Sequence, residues 1–434
     1  MVKLSKVYIR TFGCQMNVYD SERIASIFKE LGFSQTENPE EAEFAIINTC
    51  SVRDKPQHKV TSEIGRLKRI KNLKIGVCGC VAQQEGENLL SNYKDVSFIF
   101  GTDAIDRLYE IIDLVLKGER VCYTETNDKE ISIPLFSRKS KISAYVTIMK
   151  GCDNFCSYCI VPYVRGREKS RSPFEITQEI KYLVDNGVKE VTLLGQNVNS
   201  YGKNLDENIN FPKLLYMING IEKLKRIRFV TSHPKDFSDD LIDAMKNCEK
   251  LVPYLHLPLQ SGSNNILKKM NRKYTYEEYY EKISKAKQEV KDLALSSDFI
   301  VGFPGETHQD FEDTLRAIKE IEYETIFAFK YSPRPKTKAF NFEDDIDDKI
   351  KSDRLGILLK EQEKITSKLL SNYVNKYSEV LVEGGSKKDE NIYSGRNLQN
   401  RVVNFKSKYK LKIGDIVNIY IFEAKKNSLF GKFE

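Results

Sequence analysis

Strand and helix patterns alternate along most of this chain of 434 residues, and this alternation limits the possible folds more than any other feature. The first series covers residues 1–118, and the second covers residues 142–335 with six candidate strands. Such alternation predicts parallel sheets, because each right-handed crossover returns the chain beside the previous strand. We therefore predict an α/β protein with an N-terminal doubly wound parallel sheet, followed by six βα units that fall short of a closed eightfold barrel.

The segments outside these two series predict a third domain. Residues 124–141 are polar and aperiodic, as is typical of a linker. Residues 346–378 show the pattern of one long charged helix, and short strand patterns with glycine turns follow it, which predicts a small C-terminal β-barrel. The predicted domains are therefore 1–123, then 142–371 with the long helix closing it, and 372–434.

Composition excludes several classes of protein. Hydrophobic residues make up 40% of the chain and charged residues 30%, which argues against a disordered or collagen-like protein. No run of eighteen apolar residues is present, and the first residues, MVKLSKVYIR, lack the apolar block of a signal peptide. We therefore expect a cytoplasmic protein without membrane contact.

The most specific chemical feature is the Cys-x3-Cys-x2-Cys run formed by Cys152, Cys156 and Cys159. A helix with three structural thiols is the alternative, but the glycine, aspartate and asparagine around them favour a loop at the end of a barrel strand, where active sites gather. Zinc would need a fourth ligand nearby, and the nearest histidine, His233, is far along the chain. Three thiolates with one open metal position therefore favour an iron–sulfur cluster.

A second group of cysteines is spread through the first domain. Cys14, Cys50 and Cys80 each follow a predicted strand. The carboxyl ends of parallel strands line one edge of a sheet, where ligands bind, so these thiols can converge on one site. Unrelated buried thiols are the alternative, since cysteine is often buried for packing alone. Cys78 shares the predicted strand face with Cys80 but lies further from the edge, so Cys80 is the better ligand candidate.

These cysteines and several other segments resemble the methylthiotransferase family of radical S-adenosylmethionine enzymes. The resemblance covers nearly the whole chain, and Tyr158 stands just before the last cysteine of the run, where that family has an aromatic residue. Within the family, GCQMN and NTCSVRDK resemble the synthases of 2-methylthio-N6-dimethylallyladenosine in tRNA more than the threonylcarbamoyladenosine or ribosomal-protein branches. The other matching segments are GVCGCVAQQEGE, LLGQNVNSYG and LPLQSGS.

The resemblance implies a fold and a reaction. It implies a partial (β/α)6 radical barrel, an RNA-binding C-terminal barrel and two four-iron clusters, one at each group of cysteines. One S-adenosylmethionine would yield a 5′-deoxyadenosyl radical at the 152–159 cluster, while a second would supply the methyl group. The product would be a methylthio group on carbon 2 of N6-isopentenyladenosine at position 37, beside the tRNA anticodon. A flavodoxin or ferredoxin would supply electrons, and the chain would act as a monomer.

Residues at the strand ends of the second series are the candidates for holding S-adenosylmethionine. Polar side chains there would clamp the methionine end, and glycine would let the backbone approach closely. Ordinary turn residues are the alternative for each, because a sequence does not show where a side chain points. The candidates are Tyr158, Gly195, Gln196, Asn197, Gln260 and Ile300.

Positive charge is concentrated in two places. Residues 372–434 contain ten Lys and two Arg against seven acidic residues, a net charge of +5 within a total of +7. A basic β-barrel with interleaved aromatic residues suits nucleic acid, and a solubilising appendage is the alternative. Arg165, Arg167, Lys169 and Arg171 follow the cysteine run, where they either attract phosphate or form a solvated loop.

Two other functions stay open from the sequence. One is the same chemistry on a threonylcarbamoylated adenosine of tRNA. The other belongs to a different class, a non-catalytic RNA-binding protein whose cysteines hold zinc or clusters that stabilise the fold. Iron and sulfide analysis after anaerobic purification separates this second alternative from an enzyme.

Overall fold

The computed structural model contains a parallel sheet, a partial barrel and a closed five-stranded barrel. The predicted linker lies mostly outside the described residues. No helix in the described part of the chain is both long and apolar enough to cross a lipid bilayer. The described residues, apart from the side chains of 54–58, are 5–51, 54–126, 138, 142–206, 208–385, 389 and 391–434.

The first unit is a parallel sheet with helices on both faces, as predicted. Its strands are β1 (Lys6–Thr11), β2 (Ser34–Thr36), β3 (Phe44–Thr49), β4 (Lys74–Gly79), β5 (Val96–Phe100) and β6 (Val121–Tyr123). Its helices are α1 (Gln15–Glu30), α2 (Asp54–Leu67), α3 (Cys80–Asn92) and α4 (Leu108–Leu116). The order β2-β1-β3-β4-β5-β6 puts β1, β3 and β4 side by side. Every residue of β3 is buried, as expected for a central parallel strand.

The second unit is a partial barrel of six parallel strands. They form two sheets, ordered β11-β10-β7 and β12-β13-β14, which an isolated parallel bridge from Ile227 to Leu251 joins. The six strands are β7 (Ser143–Thr147), β10 (Glu190–Leu194), β11 (Arg226–Phe229), β12 (Tyr254–His256), β13 (Ala294–Val301) and β14 (Thr325–Lys330). A short antiparallel pair after β7 consists of β8 (Met149–Lys150) and β9 (Lys169–Ser170).

Helices follow the strands of this barrel, and all of them except the first border the largest core of the molecule. They are α5 (Val161–Arg165), α6 (Pro173–Asp185), α7 (Phe211–Asn219), α8 (Asp239–Asn247), α9 (Asn264–Lys269), α10 (Tyr276–Glu289), α11 (His308–Ile321) and α12 (Asp348–Ser371). The last helix ends seven residues earlier than the pattern over 346–378 predicts. Asn375 adopts a left-handed φ of 64°, and Lys376 then pairs with Ile421 in a strand, so the helix cannot continue.

The third unit is a closed barrel with the order β15-β16-β17-β19-β18. Its strands are β15 (Lys376–Gly385), β16 (Ile392–Asn397), β17 (Val402–Ser407), β18 (Ile416–Lys425) and β19 (Ser428–Phe433). Leu370, at the end of α12, is part of its apolar core. The predicted small C-terminal β-barrel is therefore confirmed.

This C-terminal barrel is anchored to the amino ends of the strands in the partial barrel. Arg228 of β11 is buried and donates to the backbone oxygen of Asn397 at 2.8 Å, and Arg226 donates to that of Arg396, also at the end of β16, at 2.9 Å. Arg401 pairs with Glu324, just before β14, at 2.6 Å. Removing residues 372–434 would take these partners away from buried charged side chains, so the C-terminal barrel is not a separable appendage.

We predict that Arg228→Ala destabilises the barrel. Arg228 also pairs with Glu190 at 2.8 Å, and both side chains are buried, so the substitution leaves this carboxylate inside the protein with the longer 4.0 Å contact to Arg226. Such losses cost about 3 kcal/mol or more, which urea denaturation followed by circular dichroism would detect as a lower midpoint. The matched control, Lys223→Ala, removes an exposed pair with Asp185 and should leave the midpoint unchanged. Equal midpoints for both variants would contradict the anchoring role.

Candidate active site

The three cysteines of the first domain lie at the carboxyl ends of neighbouring strands. Cys14 is the N-cap of α1, Cys50 directly follows β3, and Cys80 is the first residue of α3, directly after β4. At Gly13 a Cβ atom would lie 2.7 Å from that of Cys50, so the two loops touch. The hydrogen bond with Cys50 lowers the pKa of Cys14 to about 6, and the charge of Arg165 acts in the same direction.

Cys78 and Cys80 lie in different environments. The prediction that they share one face of the strand is wrong, because β4 ends at Gly79. Gly79 has a φ of 86°, and a Cβ there would lie 2.4 Å from the backbone oxygen of Thr49, so the turn requires glycine. This turn carries Cys80 out of the strand toward the edge. Cys78 stays in the apolar core, where burial raises the pKa of its thiol.

The run from Cys152 to Cys159 forms a loop between β8 and α5, as predicted, and not a helix. Bonds from the segment around the end of α9 hold it. Ser157 donates to the backbone oxygen of Lys269 at 2.8 Å, and Asn271 donates to that of Phe155 at 2.9 Å. Phe155 has a φ of 46°, and such strain in a residue other than glycine is typical of functional loops.

A buried arginine that the motifs do not reveal contacts one thiol of this loop. Arg272 Nη1 donates to the Sγ atom of Cys156 at 3.3 Å, and Nη2 donates to the backbone oxygen of Pro258 at 2.8 Å. This contact places a buried positive charge against one of the three sulfur atoms of the run. Burial raises the pKa of Cys152 to about 11 and also raises that of Cys159, so metal binding would release protons from these two thiols.

Three of the predicted cofactor contacts lie together beside this loop. Tyr158 and Ile300 pack in one apolar cluster with Phe303 and Tyr331. Gln260 has a left-handed φ of 75°, and its backbone oxygen accepts the N–H of Ile300 at 3.0 Å. The ends of the fourth and fifth barrel strands therefore form one surface with an apolar part, which is suited to an adenine ring.

The other three predicted contacts follow β10. At Gly195 a Cβ atom would lie 2.6 Å from the side chain of Met149, so a larger residue does not fit there. Gln196 accepts the backbone N–H of Gly151 at 2.5 Å, so its carbonyl supports the cysteine loop. Asn197 is buried and donates to Asp236, but its Oδ1 atom has no hydrogen-bond partner among the described residues.

Two residues after β11 extend this polar surface and are absent from the sequence-based candidates. The described residues offer no hydrogen-bond partner to Ser232 Oγ or His233 Nε2, and both side chains are buried. His233 Nδ1 accepts a backbone N–H at 3.2 Å, which leaves the proton on Nε2, and burial lowers the pKa of this ring. Thr231 has a strained φ of 67° and donates to the backbone oxygen of Gly195 at 2.6 Å. These unpartnered atoms fit the polar methionine end of S-adenosylmethionine.

The short helix α5 connects the two groups of cysteines. It begins two residues after Cys159 and ends at Arg165. Val164 of this helix packs against Cys80 of the first domain. Arg165 is buried and pairs with Asp20 of α1 at 2.8 Å. The five residues of α5, about one and a half turns, therefore lead along the chain from the cysteine run to the cysteines of the first domain.

The cationic stretch after the cysteine run is partly internal. Neither a phosphate site nor a solvated loop describes Arg165 or Arg171, because both are buried in ion pairs. Arg171 donates to Glu179 and to the backbone oxygen of Thr147, each at 2.7 Å. Arg167 remains exposed, so the surface charge here is smaller than the sequence indicates.

Cysteine thiols bind metal in two common ways. Among the described residues, no three ligating side chains lie close enough together to hold one metal ion. A zinc ion draws its sulfur ligands to about 2.3 Å, whereas each thiolate of a four-iron cluster binds a different iron. Three thiolates leave the fourth iron of such a cluster open, which fits the run of Cys152, Cys156 and Cys159.

Comparison with known protein families divides the chain in a consistent way. Residues 146–318 match the Radical SAM superfamily, and residues 371–433 match the TRAM domain. Residues 6–101 match the uncharacterized protein family UPF0004. Membership of the Radical SAM superfamily implies a four-iron cluster and S-adenosylmethionine, so these two expectations from the motifs are confirmed.

Among solved structures, the chain is similar to the radical S-adenosylmethionine methyltransferase TsrM from Kitasatospora setae, with a TM-score of 0.57 and 12% identity. That likeness covers 77% of this chain and 74% of TsrM, and it shows the fold alone.

Curated relatives extend over the full length. A tRNA-2-methylthio-N(6)-dimethylallyladenosine synthase from Clostridium botulinum strain Alaska E43 is 48% identical over 98% of this chain and 95% of its own. The enzyme of that name from Clostridioides difficile strain 630 is 45% identical over 99% of this chain and 91% of its own. The chain therefore belongs to the tRNA-2-methylthio-N(6)-dimethylallyladenosine synthase family of radical S-adenosylmethionine enzymes.

Proposed function

We propose that this enzyme adds a methylthio group to carbon 2 of N6-isopentenyladenosine at position 37 of tRNA, in the cytoplasm, with the anticodon stem-loop as its binding partner. The observation that carries the proposal is similarity at 45–48% identity, over nearly the whole chain, to synthases named for the dimethylallyl product. The motifs around Cys14 and Cys50 support this substrate over threonylcarbamoyladenosine. Neither that substrate nor a non-catalytic role is favoured.

The residues of the barrel would prepare the radical site. When bound at Cys152, Cys156 and Cys159, a four-iron cluster supplies the electron that makes S-adenosylmethionine a radical source able to attack an unreactive aromatic C–H bond. Arg272 would hold one sulfur atom of the run in place through its hydrogen bond to Cys156. Tyr158 and the strand ends beside it exclude water from the adenine side, and the unpartnered atoms after β10 and β11 orient the methionine end.

The first domain would supply the methylthio group. Cys14, Cys50 and Cys80 would hold a second four-iron cluster, at which a second S-adenosylmethionine donates the methyl group. The packing of α5 against Cys80 supports delivery of the methylthio group to the radical site, because it keeps the two groups of cysteines next to each other within one chain. The enzyme would work as a monomer, since both groups of thiols and the TRAM domain belong to one chain. A low-potential flavodoxin or ferredoxin would supply the electrons.

Nucleoside mass spectrometry of tRNA from a deletion strain tests the proposal. We expect 2-methylthio-N6-isopentenyladenosine to disappear, the unmethylthiolated N6-isopentenyladenosine to accumulate, and the gene to restore the product. Loss of the methylthio derivative of threonylcarbamoyladenosine instead would establish the other substrate. An unchanged nucleoside profile, together with a purified protein that contains only zinc, would establish the non-catalytic alternative.

We further predict that a row of lysines in the TRAM domain binds phosphate. Lys406, Lys408 and Lys410 are exposed and alternate along the end of β17 and the loop after it. Changing all three to glutamine should weaken tRNA binding. Each lost phosphate contact should flatten the slope of log K against log salt by roughly 0.7 to 0.9.

The control for charge is the triple variant Lys181→Gln, Lys223→Gln, Lys246→Gln on or near the outer helices of the barrel. These lysines are also exposed, so the two variants lose the same net charge. The control should keep the parent affinity and salt slope. Equal slopes in the TRAM variant and the parent would show that the basic tail serves solubility alone.

A further inference from the structure

Arg165 reaches from the barrel into the first domain and ends among its cysteines. Its Nη1 atom lies 2.8 Å from Asp20, and both side chains are almost fully buried. Its guanidinium also lies beside the sulfur atoms of Cys80 and Cys14. Its Nη2 atom is buried and has no acceptor among the described residues. A buried guanidinium next to thiols, with one nitrogen atom that has no acceptor among the described residues, fits a site that carries further negative charge when it is complete.

The surroundings fix this guanidinium in place. Val164, the residue before it, packs against Cys80 in a small apolar cluster. The backbone oxygen of Val164 accepts the hydroxyl of Thr102 at 2.9 Å, and Thr102 belongs to the first domain. Lys150, from the barrel, donates to the backbone oxygen of Thr102 at 3.0 Å. The end of α5 is therefore held from both sides of the domain boundary.

We propose that Arg165 is a positioning residue that holds a positive charge against the N-terminal group of cysteines and thereby raises the reduction potential of the cluster bound there. The inference rests on the proposed second cluster. Cluster potentials depend on net charge and on hydrogen bonds to sulfur. One-electron reduction adds a negative charge to the cluster. A buried cation beside it therefore stabilises the reduced cluster more than the oxidised cluster. Asp20 opposes this effect, because its carboxylate neutralises part of the charge.

Substitutions of Arg165 and of Asp20 should shift the midpoint potential in opposite directions, which gives a test. Potentials are measured by titration with dithionite, which supplies the electron, and followed by electron paramagnetic resonance. The full chain carries Cys156→Ala so that the N-terminal cluster alone contributes. Arg165→Gln should shift the midpoint potential to a more negative value, Arg165→Lys should restore much of the shift, and Asp20→Asn should shift it to a more positive value. A purely structural role would not produce shifts of opposite sign.

Arg167→Gln is the matched control, because it removes the same charge two residues later from an exposed side chain, and it should leave the potential unchanged. If Arg165→Gln fails to fold, the upward shift in Asp20→Asn remains the test, and its absence overturns the inference. Identical potentials in all variants also overturn it. A Cys156→Ala parent without any iron–sulfur signal would instead overturn the proposed second cluster, so the two failures are distinguishable.

Discussion

Changing Cys156 to alanine should abolish reductive cleavage of S-adenosylmethionine, so that 5′-deoxyadenosine falls below detection. Cys156 is buried, and its sulfur atom accepts a hydrogen bond from the guanidinium of Arg272. Without it, two thiols of the run remain to hold the cluster, and Nη1 of the buried Arg272 loses its sulfur acceptor. The measurement is 5′-deoxyadenosine by liquid chromatography after incubation with dithionite, together with iron per chain.

The matched control is Cys248→Ala. Cys248 is an equally buried thiol of the same barrel, but it packs in the main apolar core. This variant should retain cleavage and iron, since it loses one sulfur atom from the packing and no ligand. Parent-level cleavage by Cys156→Ala would contradict the assignment of the run. Equal losses in both variants would indicate that the barrel tolerates no thiol removal, whatever the position.

Changing Cys50 to alanine should give a different loss. Formation of 5′-deoxyadenosine should persist, while the methylthio nucleoside disappears. The reason is that the two activities belong to different domains. Cys50 follows β3 of the first sheet, which would supply the methylthio group, and the 152–159 run lies in the barrel, which would generate the radical. Both products are measured in one reaction with tRNA substrate, and iron should fall by about four atoms per chain.

Cys78→Ala provides the control for this variant. Cys78 is two residues from Cys80, yet it stays in the strand and packs in the apolar core. It should retain both products, apart from a modest loss of stability from the missing sulfur atom. Loss of the methylthio nucleoside in Cys78→Ala, with Cys80→Ala active, would exchange the roles of these two cysteines. Equal loss of both products in Cys50→Ala would contradict the division between the domains.

The positions of the cysteines could be predicted because they depend on patterns among residues that are close together in the sequence. Alternating strand and helix patterns fix a parallel sheet, and residues after parallel strands reach one edge. Cys14, Cys50 and the loop of Cys152 illustrate this. The same rule applies to β11, so Ser232 and His233 could have been predicted from the polar residues that follow that strand.

The two buried arginines could not be predicted in this way. Arg272 and its partner Cys156 are 116 residues apart in the chain, and no periodic pattern connects them. Arg165 reads as one cation in a basic stretch, because its neighbours in sequence give no sign of Asp20 on another domain. The end of α12 was also missed, since it depends on the pairing of β15 with β18. Long-range pairings of this kind are tertiary information, and local composition does not contain them.

The attachment of the TRAM domain to the amino ends of the barrel strands has a geometric consequence for substrate choice. The cysteine run lies at the opposite, carboxyl ends, and the eight residues of β13 rise about 23 Å from the first to the last. A tRNA held by this domain must therefore span the height of the barrel before its modified nucleoside reaches the radical. We therefore expect a short oligonucleotide that contains the correct base but lacks the stem to be a poor substrate, because it cannot contact the TRAM domain and the radical site at the same time.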